Sequence, residues 1–150
     1  MKFLKFLLAW LAAMIVTAAT GSVVQTQFNL AAIAALGAPV PFGVRLQTTL
    51  HDLAAFAPML AGIAAGGFLV TFVIAGLLAR RWPARRTLLY VSAGAAAIAV
   101  AILLINAQLP MTPIGATRRL AGLLALAAAG GLGGWVFAVL APARTRHGMA

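Results

Sequence analysis

The most constraining feature of this sequence is a long stretch without a single charge, from Leu53 to Ala79. A helix needs ~20 consecutive apolar residues to cross ~30 Å of hydrocarbon, and this stretch exceeds that length. Because backbone polar groups in lipid must be satisfied within the segment, the stretch is predicted to be an α-helix. Three further stretches qualify, and the four predicted spans cover residues 6–24, 53–79, 88–109 and 120–141. The predicted fold class is an all-α integral membrane protein, with residues 1–150 forming a single membrane domain.

Composition excludes several classes of protein and site. Hydrophobic residues make up 64% of the chain and charged residues 8%, against roughly 45–50% and ~25% in a soluble domain. Cysteine is absent, which excludes disulfides, thiolate metal sites and iron–sulfur clusters. Asp52 is the only acidic residue, so paired carboxylates cannot form within one chain, and no nucleotide-binding or hydrolase motif is present. The sequence therefore predicts a protein that is not an enzyme and that binds neither a cofactor nor a metal.

The distribution of basic residues predicts the orientation in the membrane. With the N-terminus inside, the cytoplasmic group is Lys2, Lys5, Arg80, Arg81, Arg85, Arg86, Arg144 and Arg146, and the external group is Arg45, Arg118 and Arg119. The positive-inside tendency favours this arrangement, with both termini in the cytoplasm. The run from Arg80 to Arg86 is interpreted as a topology anchor that contacts anionic headgroups, with Trp82 at the interface, rather than as a nucleic-acid site.

The first span has an alternative interpretation as a cleavable signal peptide. Two lysines, an apolar run from Phe6 to Ala19 and the small residues at its end fit such a peptide. The uncharged stretch continues to Val24, however, and a signal peptide has an apolar region of only ~7–15 residues. A retained helix is therefore favoured.

The segment between spans one and two, residues 25–52, is expected to lie on the periplasmic side. Residues Asn29–Leu36 predict a short helix, capped by its first residue and stopped by Gly37. The prolines in residues 39–41 predict a rigid connector, with helix resuming near Val44. Such a segment is interpreted first as a well-packed connecting loop, and second as a segment that lies in the outer headgroup zone or covers the bundle like a lid.

A polar cluster is expected at the outer face, and its members are Arg45, Thr49, Asp52, Arg118 and Arg119. If helix begins near Val44, the first three residues share a helix face. With Thr117 as N-cap, both later arginines fall in the first turn of span four, where positive charge opposes the helix dipole. A salt bridge to Asp52 is the favoured explanation, followed by a lipid phosphate or other anion at that helix terminus, and then by snorkelling to headgroups.

Two glycine pairs predict close helix packing. Gly62 and Gly66 in span two, and Gly130 and Gly134 in span four, each place glycines one turn apart. This spacing lets helix backbones approach closely in lipid, and it is interpreted first as packing and second as dimerisation. Pro58 is expected either to kink span two or to mark its true start.

Several segments resemble small four-span inner-membrane proteins of proteobacteria. The matching segments are Val24–Leu30, Arg45–Asp52, Phe56–Pro58 and Pro110–Arg119. The resemblance covers nearly the whole chain and implies a Gram-negative inner membrane, but it implies no activity and no functional residue.

The predicted function is that of a non-catalytic inner-membrane protein, an accessory or structural partner of a larger assembly. One alternative is a small oligomeric transporter or channel that uses Asp52. The other is a lipid- or quinone-binding protein that uses the outer arginines. The expected partners are a bilayer with anionic headgroups and either another membrane protein or further copies of the chain, not nucleic acid.

Overall fold

The structure, a computed structural model, describes residues 2–109 and 114–142, and the side chains from residue 3 onward. The helices are α1 (Lys2–Ala35), α2 (Phe42–Ala55), α3 (Ala57–Arg81), α4 (Arg86–Gln108) and α5 (Leu120–Leu140), with 3₁₀ turns at Pro83–Arg85 and Gly115–Arg118. Residues 110–113 of the loop before span four, Arg144, Arg146, His147 and the side chain of Lys2 lie outside this description.

The predicted all-α class with four long apolar helices is confirmed. The helical segments long and apolar enough to cross a membrane are Phe3–Ala35, Ala57–Arg81, Pro83–Gln108 and Leu120–Leu140. They form an antiparallel bundle in which α1 and α4 each pack between α3 and α5. The α4–α5 contact is the most extensive, and α5 is the most buried of the four.

Glycines set the distance between α4 and α5. A Cβ atom on Gly94 or Gly130 would overlap the carbonyl oxygen of the other, and one on Gly134 would overlap the carbonyl oxygen of Tyr90. The two backbones are therefore in direct contact, as glycine pairs permit in lipid. Among the described residues, a Cβ on Gly62 or Gly66 would meet no atom within 4 Å, because both glycines face away from the bundle. Gly62 and Gly66 therefore pack against no other helix of the described chain, contrary to the first interpretation of this pair.

The two ends of the bundle differ in chemistry. At the arginine-rich end, defined by residues 80–86, aromatic rings of the helices pack together, with the Phe72 and Phe137 centroids 4.5 Å apart. Arg86 donates hydrogen bonds to the carbonyl oxygens of Ala138 and Ala141 (2.9 Å to the latter). A guanidinium there satisfies carbonyls at the end of α5 and complements its dipole. The opposite end, which contains Asp52, is called the acidic end below.

The prediction of a separate short helix at 29–36 is wrong, because α1 continues without a break to Ala35. Its 34 residues extend about 51 Å at 1.5 Å per residue, well beyond the hydrocarbon thickness. The predicted stop at Gly37 is found: this glycine has φ +87°, and its N–H donates to the Ala34 carbonyl oxygen at 3.0 Å. Asn29 consequently lies inside a helix rather than at a cap.

The two predictions for Pro58 are resolved in favour of a helix start. α2 ends at Ala55, and α3 begins at Ala57 with Pro58 in its first turn. Between them Phe56 keeps a helical conformation (φ −90°, ψ −38°). The proline has no N–H to donate to the preceding turn, so the helix breaks there, and the fixed proline φ is suited to the first turn of α3.

Candidate functional site

A polar stripe on α1 forms one wall of the candidate site. Ser22, Gln25, Thr26 and Asn29 occupy positions i, i+3, i+4 and i+7, which lie on one helix face. The first three are 0%, 6% and 0% exposed. Sequence reasoning missed this stripe because it assigned residues 25 onward to an external segment. The spacing was the available signal, since a polar stripe within an apolar helix indicates a buried polar contact.

Helix α2 supplies the second wall. The Thr26 hydroxyl donates a hydrogen bond to the Asp52 carboxylate at 2.6 Å. The amide of Gln27 donates to Thr49 at 3.3 Å and accepts a hydrogen bond from Arg45. The three predicted cluster members Arg45, Thr49 and Asp52 thus lie on one face of α2, and each forms a hydrogen bond with a side chain of α1.

These contacts also define the face of α2 that meets α1. The three α2 residues extend over about 10 Å of that helix, whereas their partners Thr26 and Gln27 are adjacent, about 1.5 Å apart along α1. All three side chains of this face are therefore directed at a single turn of α1. The large apolar side chains of α2 lie about a quarter of a turn from the contact face, and they are exposed: Phe42 (77%), Leu46 (48%) and Leu50 (59%).

The 3₁₀ turn before α5 closes the site. The buried Gln25 side chain accepts a hydrogen bond from the Ala116 N–H at 3.1 Å. A Cβ on Gly115 would lie 2.5 Å from the Asn29 side-chain oxygen, so the turn packs closely against this side chain. The Asn106 amide of α4 donates to the Thr117 hydroxyl oxygen at 3.4 Å. Polar groups from α1, α2, α4 and the turn therefore meet at the acidic end.

The remaining predicted members, Arg118 and Arg119, occupy a different position from the one expected. Thr117 donates to the Ile114 carbonyl oxygen at 2.8 Å and does not cap α5. Arg118 ends the 3₁₀ turn, and Arg119 is the N-cap residue of α5, so both precede its first turn. Both side chains are exposed, and the Asp52 carboxylate has Thr26, not an arginine, as its partner among the described residues.

Two oxygen atoms at the acidic end are buried without a hydrogen-bond partner among the described residues. They are Ser22 Oγ and the Asn106 side-chain carbonyl oxygen. A buried polar group without a partner costs about 1–3 kcal/mol. The Thr26 hydroxyl has a single proton and two acceptors nearby, the Asp52 carboxylate at 2.6 Å and the Ser22 carbonyl oxygen at 3.0 Å. The site can thus orient a carboxylate and hold small polar groups within an apolar bundle.

No three His, Cys, Asp or Glu side chains in residues 2–109 and 114–142 lie together in a way that could hold a metal ion. Comparison of the chain with protein-family models, with curated proteins and with solved structures finds no match.

Proposed function

We propose that this protein is a non-catalytic, multi-pass membrane protein that acts as an accessory or structural partner in a larger membrane assembly. We place it in the bacterial inner membrane, with both termini in the cytoplasm and the acidic end facing the periplasm. The outward face of α3 is the observation that carries the assembly role.

That face has a glycine surface with no partner within the described chain. Gly62 and Gly66 are exposed, with open space where a Cβ would stand. The same spacing in α5 is fully used, because α4 packs directly on Gly130 and Gly134. Helices in lipid associate through such small-residue surfaces, where van der Waals contacts between backbones replace a hydrophobic driving force. A helix of another chain would pack on Gly62 and Gly66 of α3 in the same way as α4 packs on Gly130 and Gly134 of α5.

The use of the polar side chains at the acidic end supports a structural role. Gln25, Thr26 and Gln27 are hydrogen-bonded to the 3₁₀ turn and to α2. Interhelical hydrogen bonds of this kind hold membrane helices together. The only carboxylate, on Asp52, is one of these partners, which leaves no second carboxylate for acid–base chemistry.

The assembly role is tested by purifying the full chain from its native membrane in mild detergent. The oligomeric state and the co-purifying proteins are compared between the natural chain and Gly66→Leu, which blocks the open face. Ala128→Leu is the matched control, because Ala128 is an exposed small residue on α5. The small residue between the two glycines of α3, Ala64, is unsuitable as a control because its side chain is fully buried. Gly66→Leu should lose the partner or change the oligomer, whereas equal recovery from both variants would contradict the proposal.

The orientation has its own test. A reporter active only outside the cytoplasm should be active when fused at Gly37 and inactive when fused after Arg86 or at the C-terminus. Activity after Arg86 would reverse the assigned orientation and place the acidic end in the cytoplasm. The exposed apolar side chains of α2 support a location along the outer membrane interface.

A transporter or channel that uses Asp52 is the second candidate. The observations in its favour are the Thr26–Asp52 hydrogen bond and the unpartnered Ser22 oxygen one turn away on the same helix. Acidic side chains that contact membrane-spanning helices are candidates for ion or proton pathways, and Asp52 of α2 contacts α1. Ion or proton flux into liposomes that contain the natural chain, lost in Asp52→Asn and retained in Arg119→Gln, would favour this candidate over the structural one.

Lipid or quinone binding through the outer arginines is the third candidate. It draws on the exposure of Arg118 and Arg119 directly before the N-terminus of α5. Backbone N–H groups at such a terminus favour an anion. Loss of a co-purifying lipid or quinone on Arg118→Gln/Arg119→Gln, with the protein partners unchanged, would single out this function.

A further inference from the structure

At the arginine-rich end, a groove between α3 and α4 opens to the surroundings of the bundle. Its volume is about 290 Å³, and its lining residues are Thr71, Ile74, Ala75, Leu78, Leu89, Ser92, Ala93 and Ala96. Apart from two hydroxyl groups, these side chains are apolar. The Thr71 hydroxyl already donates to the Gly67 carbonyl oxygen at 3.1 Å. This volume lies near the lower end of small-molecule sites, so it suits one hydrocarbon chain rather than a whole lipid.

The helical register leads from this groove to two arginines. On α3 the lining positions 71, 74, 75 and 78 repeat every three or four residues, and the next position in the series is Arg81. On α4 the positions 96, 93, 92 and 89, followed backwards, lead to Arg86, and Arg85 directly precedes it as the N-cap residue of the helix. Each series therefore reaches a guanidinium about one turn beyond the last apolar side chain of the groove.

The two arginines at the end of the groove differ from Arg86 in their surroundings. Arg86 is bound to the carbonyl oxygens at the end of α5, and its guanidinium carbon lies 5.4 Å from the centre of the Tyr90 ring. Arg81 and Arg85 are exposed, and the exposed ring of Trp82 lies between them in the sequence. The only acidic side chain of the protein, on Asp52, lies at the other end of the bundle. The charge at the end of this groove is thus uncompensated by any acidic side chain.

We propose that this groove binds one anionic phospholipid of the adjacent leaflet, with an acyl chain between α3 and α4 and its phosphate between Arg81 and Arg85. Arginine suits this position, because its planar guanidinium binds phosphate oxygens in a bidentate manner. Basic pockets between membrane helices bind anionic headgroups by the same chemistry. An indole ring at the same level is typical of the membrane–water interface.

The proposal is tested by native mass spectrometry of the full chain, delipidated in detergent and then titrated with dioleoyl phosphatidylglycerol or dioleoyl phosphatidylcholine. One phosphatidylglycerol should bind per chain, at least tenfold more tightly than phosphatidylcholine. Arg81→Gln and Arg85→Gln should each weaken it about fivefold, because each arginine near a membrane surface contributes ~1 kcal/mol toward anionic lipid. Lys5→Gln, which removes an exposed charge on α1 at the same end of the bundle, is the matched charge control and should leave this binding unchanged.

A second variant tests the groove itself. Ala96 is exposed and lines the groove, so Ala96→Phe should fill it and weaken phosphatidylglycerol binding. Ala128→Phe, on the exposed side of α5, is the control, and the thermal transition of each variant verifies the fold. If Ala96→Phe does not fold, Ser92→Leu takes its place. Equal binding of the two lipids, an unchanged affinity in both arginine variants, or full competition by soluble glycerol 3-phosphate would each overturn the proposal.

Discussion

The two glycine pairs should respond in opposite directions to the same substitution. In Gly134→Ala the new Cβ would lie 2.7 Å from the carbonyl carbon of Tyr90, whereas non-bonded carbon atoms prefer about 3.5–4.0 Å. α4 and α5 must then move apart by about 1 Å along their most extensive contact. Overpacking of this kind typically lowers the free energy of unfolding by about 1–3 kcal/mol, and we expect the upper part of that range because the obstacle is backbone.

Gly62→Ala adds the same methyl group to open space. It should leave the free energy of unfolding unchanged or raise it by about 0.5–1 kcal/mol, because alanine is the better helix former. The measurement is thermal unfolding of the purified chain in one detergent, followed by circular dichroism, for the natural chain and both variants. Similar destabilisation by both substitutions would refute the assignment of Gly134 to a direct backbone contact and of Gly62 to a free surface.

Three further results are expected from substitutions elsewhere. Gln25→Leu removes the acceptor of a buried N–H and should lower the free energy of unfolding by about 1–3 kcal/mol, whereas Gln108→Leu at an exposed position should have little effect, both measured by thermal unfolding. Arg86→Gln should lower the free energy of unfolding by about 2 kcal/mol, because carbonyls at the end of α5 lose a charged donor. Substitution of the exposed neighbour, Arg85→Gln, should leave this free energy unchanged, and equal losses in the two variants would contradict the capping role of Arg86. In a chain whose three native tryptophans are replaced by phenylalanine, the fluorescence introduced by Leu46→Trp on α2 should be quenched by brominated acyl chains in vesicles. Quenching by a water-soluble quencher alone would mean that α2 lies outside the bilayer.

The four long helices could be predicted from the sequence because the requirement for them is local. Length and hydropathy of each stretch decide whether it can cross a bilayer, and no distant residue enters that test. The break before α3 was likewise signalled locally by Pro58. The stop after α1 was signalled by Gly37, whose positive φ is readily adopted by glycine.

The continuation of α1 could not be predicted in this way. Gln25 looks like the start of an external segment until its partner is known, and that partner, Ala116, is 91 residues away in the sequence. The residues around a glycine pair likewise do not show which helix it packs against. The spacing of Gly62 and Gly66 is identical to that of Gly130 and Gly134. Within the described chain, however, only Gly130 and Gly134 meet another helix. The donor to the Asp52 carboxylate was not local information either, because the Thr26 hydroxyl is 26 residues away in the sequence.

The long sequence separation of the buried polar contacts of α1 has a consequence for synthesis and insertion. The Thr17 hydroxyl donates to the carbonyl oxygen of Ala129 in α5 at 3.4 Å, across 112 residues of sequence. α1 is made before α5, so Thr17 and Gln25 have no such partners while the intervening helices are made. During that interval α1 presents these polar groups to lipid, to a helper protein or to the insertion machinery, since unsatisfied polar groups in hydrocarbon are unfavourable. Nascent chains that stop before α5 should therefore be recognised as incomplete and degraded, which would make insertion of α5 the step that completes the buried polar contacts of α1.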